Sequence, residues 1–185
     1  MLIGARTEEL RVLTWLHVDL REDGDSEPPK VPHVTVWRSV RAGGDTKTRK
    51  SRRSLALPKR CVDVLKEQQE RQAMARKLAG ADWVETDLVF TTQVGTALDA
   101  HNVRRAFRRI VKAAKLNPKD WTPRELRHSF VSLLSDAGTP IEVISRLVGH
   151  SGSAVTERVY RHQLRPVIED GARTMDGIFP EEPAA

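Results

Sequence analysis

Cysteine occurs once in this chain, at Cys61. No intramolecular disulfide can form, which fits a reducing cytoplasm. Cys61 sits in a run that reads as helix, so packing is the expected role rather than nucleophilic attack. No apolar stretch approaches the roughly 18 residues that a membrane helix needs. No signal-peptide core precedes the first charges, because Arg6, Glu8 and Glu9 arrive too early. The expected setting is soluble and cytoplasmic, without a membrane partner. The six histidines, at positions 17, 33, 101, 128, 150 and 162, lack the paired spacing of a zinc site. Lys47-Thr48 lacks the glycine directly before it that a P-loop requires. Internal repeats, heptads and low-complexity tracts are also missing. Tyrosine, like cysteine, occurs once, at Tyr160.

Positive charge is what the chain has in excess. Lys and Arg number 31 against 25 Asp and Glu, a formal net charge of +6. Such a balance favours polyanionic partners, nucleic acid first, although a plain basic surface gives the same count. A length of 185 residues suits one domain with a real core.

Apolar spacing predicts a helix over 4–14, with Leu10, Leu13 and Leu16 on one face. Alternation over Trp15–Leu20 predicts a short strand, and residues 21–30 a polar loop. Pro32–Val40 and Ser51–Leu57 read as strands joined by a turn at 42–46. A long helix is expected from Pro58 to near Gly80. Asp99 is placed to cap a helix over 100–115, with Val103, Phe107, Ile110 and Val111 inward. Its other face carries Arg104, Arg105, Arg108, Arg109 and Lys112, a surface suited either to a DNA backbone or to solvent. Further helices are expected over 124–137, 141–148, 154–161 and 164–176. The pattern is α+β, mostly helical, with a small three-stranded antiparallel sheet.

Three segments hold side chains suited to phosphate chemistry. Gly4-Ala5-Arg6-Thr7-Glu8-Glu9-Leu10 opens the chain. Thr46-Lys47-Thr48 precedes Ser51-Arg52-Arg53 and Leu55-Ala56-Leu57-Pro58. Thr122-Pro123-Arg124-Glu125-Leu126-Arg127-His128 continues to Val148-Gly149-His150-Ser151 and Tyr160-Arg161-His162. Arg124 and Arg127, three apart on a helix, share a face. Gly149 permits a tight turn that aims His150. Taken singly, each residue has an ordinary reading: Tyr160 as a rim aromatic, His150 as a helix cap, Lys47 as a hairpin lysine, Arg6 as a surface charge. Only the ordered set outweighs these.

That set resembles the catalytic domain of the tyrosine recombinases, the phage-type integrase family. The third segment is the most specific part of the resemblance and the lysine assignment the weakest. The resemblance implies site-specific DNA recombination and integration by strand cleavage and rejoining through a 3′-phosphotyrosyl intermediate. Tyr160 would be the nucleophile, and Arg6 and Arg127 would clamp the phosphate oxygens bidentately. Lys47 would protonate the 5′-oxygen, with Arg49, Lys50 and Arg53 as competitors for that role. His150 would hydrogen-bond the same phosphate, and Glu9 would fix Arg6. Arg124 stands where the family usually has histidine. Arginine does not serve as a general base, so its implied role is another phosphate donor. Neither metal nor nucleotide cofactor is implied. The implied partners are double-stranded DNA, a homo-tetramer assembled on it, and an accessory DNA-bending or directionality protein.

The family normally carries a helical core-binding domain ahead of the catalytic domain. Met1 lies only five residues before Arg6, so residues 1–185 are expected to form a single catalytic domain, trimmed at its start. Fewer phosphate contacts would then leave DNA binding weak and strongly salt-dependent. Two alternatives accompany this reading: a non-catalytic DNA-binding remnant of a decayed prophage or mobile-element integrase, and a type IB topoisomerase-like enzyme.

Overall fold

The computed structural model describes residues 2–22, 30–36 and 52–150. The expected turn at 42–46 and the expected helices over 154–161 and 164–176 lie outside the described residues.

The first helix, α1 (Thr7–Leu10), is much shorter than its periodicity predicts. Beyond Leu10 the backbone turns to pair elsewhere. The Val89 amide donates to the Leu13 carbonyl at 2.9 Å, and the Trp15 amide donates to the Asp87 carbonyl at 2.8 Å. A helix continuing to residue 14 would turn the Trp15 amide back toward the Arg11 carbonyl and away from Asp87. Trp15–His17 is a 3₁₀ turn rather than strand, and Leu16 within it is 83% exposed rather than inward. Strand β1 (Val18–Asp19) follows.

β1 pairs antiparallel with β2 (His33–Val36), and β2 with β3 (Arg53–Ala56), giving the sheet order β1-β2-β3. In the second pairing Val34 faces Leu55 and Val36 faces Arg53. Directly paired residues point to the same side of a sheet, so Arg53 shares the inward face with Val34, Val36 and Leu55, all buried.

Pro58 stands at the N-cap of α2 (Lys59–Ala79), one residue outside the helix. Val62 and Leu65 of α2 join Leu13, Val34, Val36, Leu55, Leu57 and Val89 in the larger core. Gln68 and Gln72 donate to the carbonyls of Val89 and Leu88 at 3.1 and 2.9 Å, satisfying a buried irregular segment from the side of the helix.

Asp99 caps α3 (Ala100–Ala113), accepting from the His101 amide. The inward stripe of α3 is narrow. Val103, Phe107 and Val111, each four apart, are half-buried or buried, while Ile110 lies outside the stripe and is exposed. Thr122 and Glu125 form a capping box at the start of α4 (Pro123–Asp136). Val131 of α4 meets Ile144 and Val148 of α5 (Ile141–Val148) in a smaller core, with Phe130 and Leu134 packed against it. Leu133, on the same helix, is exposed.

Leu147 and Gly4 help to join the cores. Leu147 of α5 packs on the sheet-side core. Gly4, with φ +60°, lies so close to Phe130 that an added Cβ would sit 2.5 Å from its ring. Glycine at position 4 therefore allows the chain's start to reach α4.

Candidate active site

A helix leaves its last four carbonyls without intrahelical partners. At the end of α5 these groups organise the surroundings. Gly149 adopts the left-handed conformation, φ 64° and ψ 49°. The His150 amide donates to Ser145 O at 3.0 Å and the Gly149 amide to Arg146 O at 3.1 Å. This is a Schellman closure, and it satisfies the first two orphan carbonyls. The remaining two, and the carbonyl of Gly149 just beyond the helix, each receive a guanidinium from a different element. Arg53 Nε of β3 donates to Leu147 O at 2.8 Å. Arg127 of α4 donates to Val148 O and, with its other terminal nitrogen, to Gly4 O. Arg6, beside α1, donates to Gly149 O at 3.1 Å. The negative end of the α5 dipole favours cations here.

Three guanidiniums repel one another, and Glu9 offsets the repulsion. Its Oε1 accepts from Arg6 Nη1 at 2.8 Å and from Arg53 Nη1 at 3.1 Å. Its Oε2 accepts from the Arg6 amide at 2.7 Å and from Arg53 Nη2 at 2.9 Å. The Glu9 side chain is 1% exposed and that of Arg53 8%, whereas Arg6 is 36% exposed. Burial alone would raise the Glu9 carboxyl. The hydrogen bonds and charge of Arg53, then those of Arg6, outweigh it and hold the group below its usual range.

Burial, and after it the charge of Arg6, pulls the Arg127 guanidinium below its ordinary range, yet it stays protonated at neutral pH. His150, half-buried, is pushed down to about 4 by desolvation first and then by the charges of Arg127, Arg6 and Arg53. Its imidazole is therefore neutral near pH 7. The cluster holds more positive charge than Glu9 cancels, and Arg6 and Arg127 are its partly open arginines. Such a site suits an oxyanion with delocalised charge, because guanidinium forks match phosphate oxygens. Among the described residues, no group of His, Cys, Asp and Glu side chains is arranged to hold a metal ion, and no helix is long and apolar enough to cross a membrane.

The sequence model of the phage integrase family matches residues 2–165. The chain belongs to the phage integrase family. It is 65% identical to an integrase of Streptomyces ambofaciens over 185 residues, covering all of this chain and 48% of that protein. It is 26% identical to a XerC-like tyrosine recombinase of Caldanaerobacter subterraneus subsp. tengcongensis, covering 95% of this chain and 47% of the relative. The chain thus spans about half the length of these relatives. Among solved structures, the Tn1549 transposon integrase in complex with a circular intermediate DNA superposes with a TM-score of 0.71 at 18% identity, over 96% of this chain and 55% of that one. This likeness shows the fold, that of the tyrosine recombinase catalytic domain.

In this phage integrase family member the fold brings together three of the six residues singled out from sequence: Arg6, Arg127 and His150. Arg124 is described but stands apart. Its side chain is exposed, and its backbone amide serves the cap of α4, donating to Thr122 Oγ1 at 3.3 Å. Arg127, three residues on, turns inward, so the shared face expected for the pair is not realised at their side-chain ends. Lys47 and Tyr160 lie outside the described residues, as do Arg49 and Lys50. Arg53 is the residue whose role the sequence reading missed. It is engaged by Glu9 and Leu147 O and does not compete for the part of a solvent-facing acid. The signal was present in the run Arg53-Ser54-Leu55-Ala56-Leu57, whose alternation places Arg53 on the same side as two buried leucines.

Proposed function

We propose that this chain cleaves and rejoins DNA strands in site-specific recombination, through a 3′-phosphotyrosyl intermediate. The observation that carries the reading is the convergence of Arg6, Arg127 and the Gly149–His150 turn, from chain positions far apart, on successive carbonyls at one helix end. Family membership and the likeness to a DNA-bound transposon integrase support it.

In this mechanism Tyr160 Oη attacks the scissile phosphorus, and the bond from phosphorus to the 5′-oxygen breaks. Lys47 gives that oxygen a proton. Arg6 and Arg127 hold the non-bridging oxygens, where charge builds, and lowering the barrier there is worth about 3–4 kcal/mol per donor. His150, neutral in the DNA-free protein, donates to the phosphate or takes up the tyrosine proton. Arg124, exposed at the first turn of α4, adds a phosphate contact once DNA is seated. The phosphotyrosine conserves the bond energy, so a second strand's 5′-hydroxyl displaces the tyrosine without ATP. Residues 1–185 act as one catalytic domain on cytoplasmic double-stranded DNA, within a homo-tetramer and with help from an accessory DNA-bending protein. The basic face of α3 follows the DNA backbone.

The test is a library of nicked suicide duplexes of randomised sequence, incubated with the full chain and with Tyr160→Phe. A detergent-stable protein–DNA adduct formed by the wild type and absent from Tyr160→Phe is expected. DNA binding without any wild-type adduct overturns catalysis and leaves the non-catalytic remnant.

A further inference from the structure

We infer that Arg53 is a positioning residue for strand cleavage, acting on the scissile phosphate through Glu9 and the Gly149–His150 turn without touching DNA. The inference rests on the recombinase reading above and extends it to a residue on the far side of the phosphate-binding arginines.

Arg53 departs from the pattern of its strand. It is a charged side chain on the inward face of β3, opposite buried Val36. Burying a cation there is costly unless all its donors are used. Two of the directions in which Arg53 uses them meet the site. Its fork meets both Glu9 oxygens at 3.1 and 2.9 Å, while Nε reaches Leu147 O at 2.8 Å. One rigid planar group thus fixes the carboxylate that orients Arg6 and the last turn of the helix that aims His150.

The packing at Gly149 is consistent with this arrangement. A Cβ built there would lie 2.7 Å from Arg53 Nη1 and 3.0 Å from its Cζ. The guanidinium occupies the space that any other residue's side chain would need, so turn and arginine fit as a pair. Arg6 and Arg53 each donate to both Glu9 oxygens. Without Arg53, each carboxylate oxygen keeps a single bond, both from Arg6, and the carboxylate is no longer fixed in the plane that sets the direction of Arg6. Lysine at position 53 would keep the charge but has no fork to span both oxygens and the carbonyl together.

The experiment is Arg53→Lys in the full chain, with the pair Arg53→Met and Glu9→Gln as a second variant that removes the ion pair as a unit. Affinity for the nicked duplex and its salt dependence should stay within about twofold of wild type, because a buried side chain contributes no phosphate contact. Single-turnover adduct formation at saturating DNA should slow by roughly 10- to 100-fold, as expected for a misplaced phosphate clamp. Unchanged cleavage in a folded variant would overturn the inference, and so would weaker binding with a reduced salt slope, which would make Arg53 a DNA contact. Nuclear magnetic resonance of DNA-free protein gives a readout that does not need catalysis. The His150 ring and Arg6 Nε–Hε signals should shift in Arg53→Lys, and unmoved signals would sink the proposal. A wild type that forms no adduct, together with shifted signals in the variant, would discard the recombinase reading while retaining Arg53 as the group that positions Arg6 and His150.

Discussion

Glu9 sets the energetics of the site at the scale of single residues. It accepts four hydrogen bonds from two arginines in a place where water does not reach. Glu9→Gln removes the only carboxylate among these cations in the described residues, and breaking a buried pair from one side costs about 3–5 kcal/mol. Urea denaturation should report a loss of that order. Because the folded carboxyl lies below its ordinary value of 4.5, Glu9 contributes stability above that pH and loses it as pH falls through the folded value. His150 adds to the same acid sensitivity from a higher window. Its folded value of about 4 lies below the ordinary 6.5, so between those values the unfolded chain binds the proton that the native state refuses. Stability should therefore fall as pH drops from 6.5 towards 4. A His150 titration followed by nuclear magnetic resonance should have its midpoint near 4, moving upward when a phosphate-bearing duplex is added; a midpoint near 6.5 would show that the cluster does not surround this ring. Arg6, Glu9, Arg127 and His150 were legible in the sequence because each sits in a local motif with ordered neighbours. Arg53 groups with its basic neighbours as a competitor of Lys47, although its alternation with Leu55 and Leu57 carries the inward signal that the pairing of β2 with β3 displays directly.

Elements place these residues through their ends more than through their middles. The Schellman turn of α5 leaves carbonyls of 147, 148 and 149 for the three arginines, and the left-handed Gly149 makes that turn possible. Gly149→Ala forces a Cβ into a left-handed backbone, costing roughly 1–2 kcal/mol, and pushes it against the Arg53 guanidinium. Thermal denaturation should show the stability loss, and adduct formation should fall further than that loss explains, because His150 follows the turn. Adduct formation at the wild-type rate in a folded Gly149→Ala would separate the turn from catalysis. Sequence periodicity located α2, α3, α4 and α5 to within a residue or two at most ends, because proline, aspartate and threonine caps mark them. It overextended α1 for a physical reason. Leu10 and Leu13 satisfy a helical spacing, yet the Leu13 carbonyl and the Trp15 amide are claimed by Val89 and Asp87, and nothing local announces that long-range pairing. Leu16, Ile110 and Leu133 show the same limit: an apolar residue at the edge of a stripe stays outside when no neighbouring element arrives to cover it.

At the scale of the molecule, two sets of basic side chains stand apart among the described residues. Inside, Arg6, Arg53 and Arg127 are tied to Glu9 and to carbonyls. Outside, His101, Arg104, Arg105, Arg108, Arg109 and Lys112 line an open groove of about 770 Å³ along α3 and Pro118. The four arginines of that groove are exposed, and replacing them with alanine lowers the formal charge from +6 to +2. Alanine suits helix positions, so the fold should tolerate the change. If α3 follows the DNA backbone, each arginine that neutralises a phosphate contributes about 0.9 to the slope of log affinity against log salt. The quadruple variant should then lose about 3–4 from that slope, with the largest loss of affinity at low salt and the smallest near 1 M. Lysine at the same four positions should restore most of the slope, because counterion release depends on charge rather than on fork geometry. Arg53→Lys should leave the slope where it was, so the two sets of arginines are separable in a single titration series. A quadruple variant with an unaltered slope would assign the α3 face to solvent and place the DNA contacts on Arg6 and Arg127 at the end of α5 and on surfaces beyond the described residues.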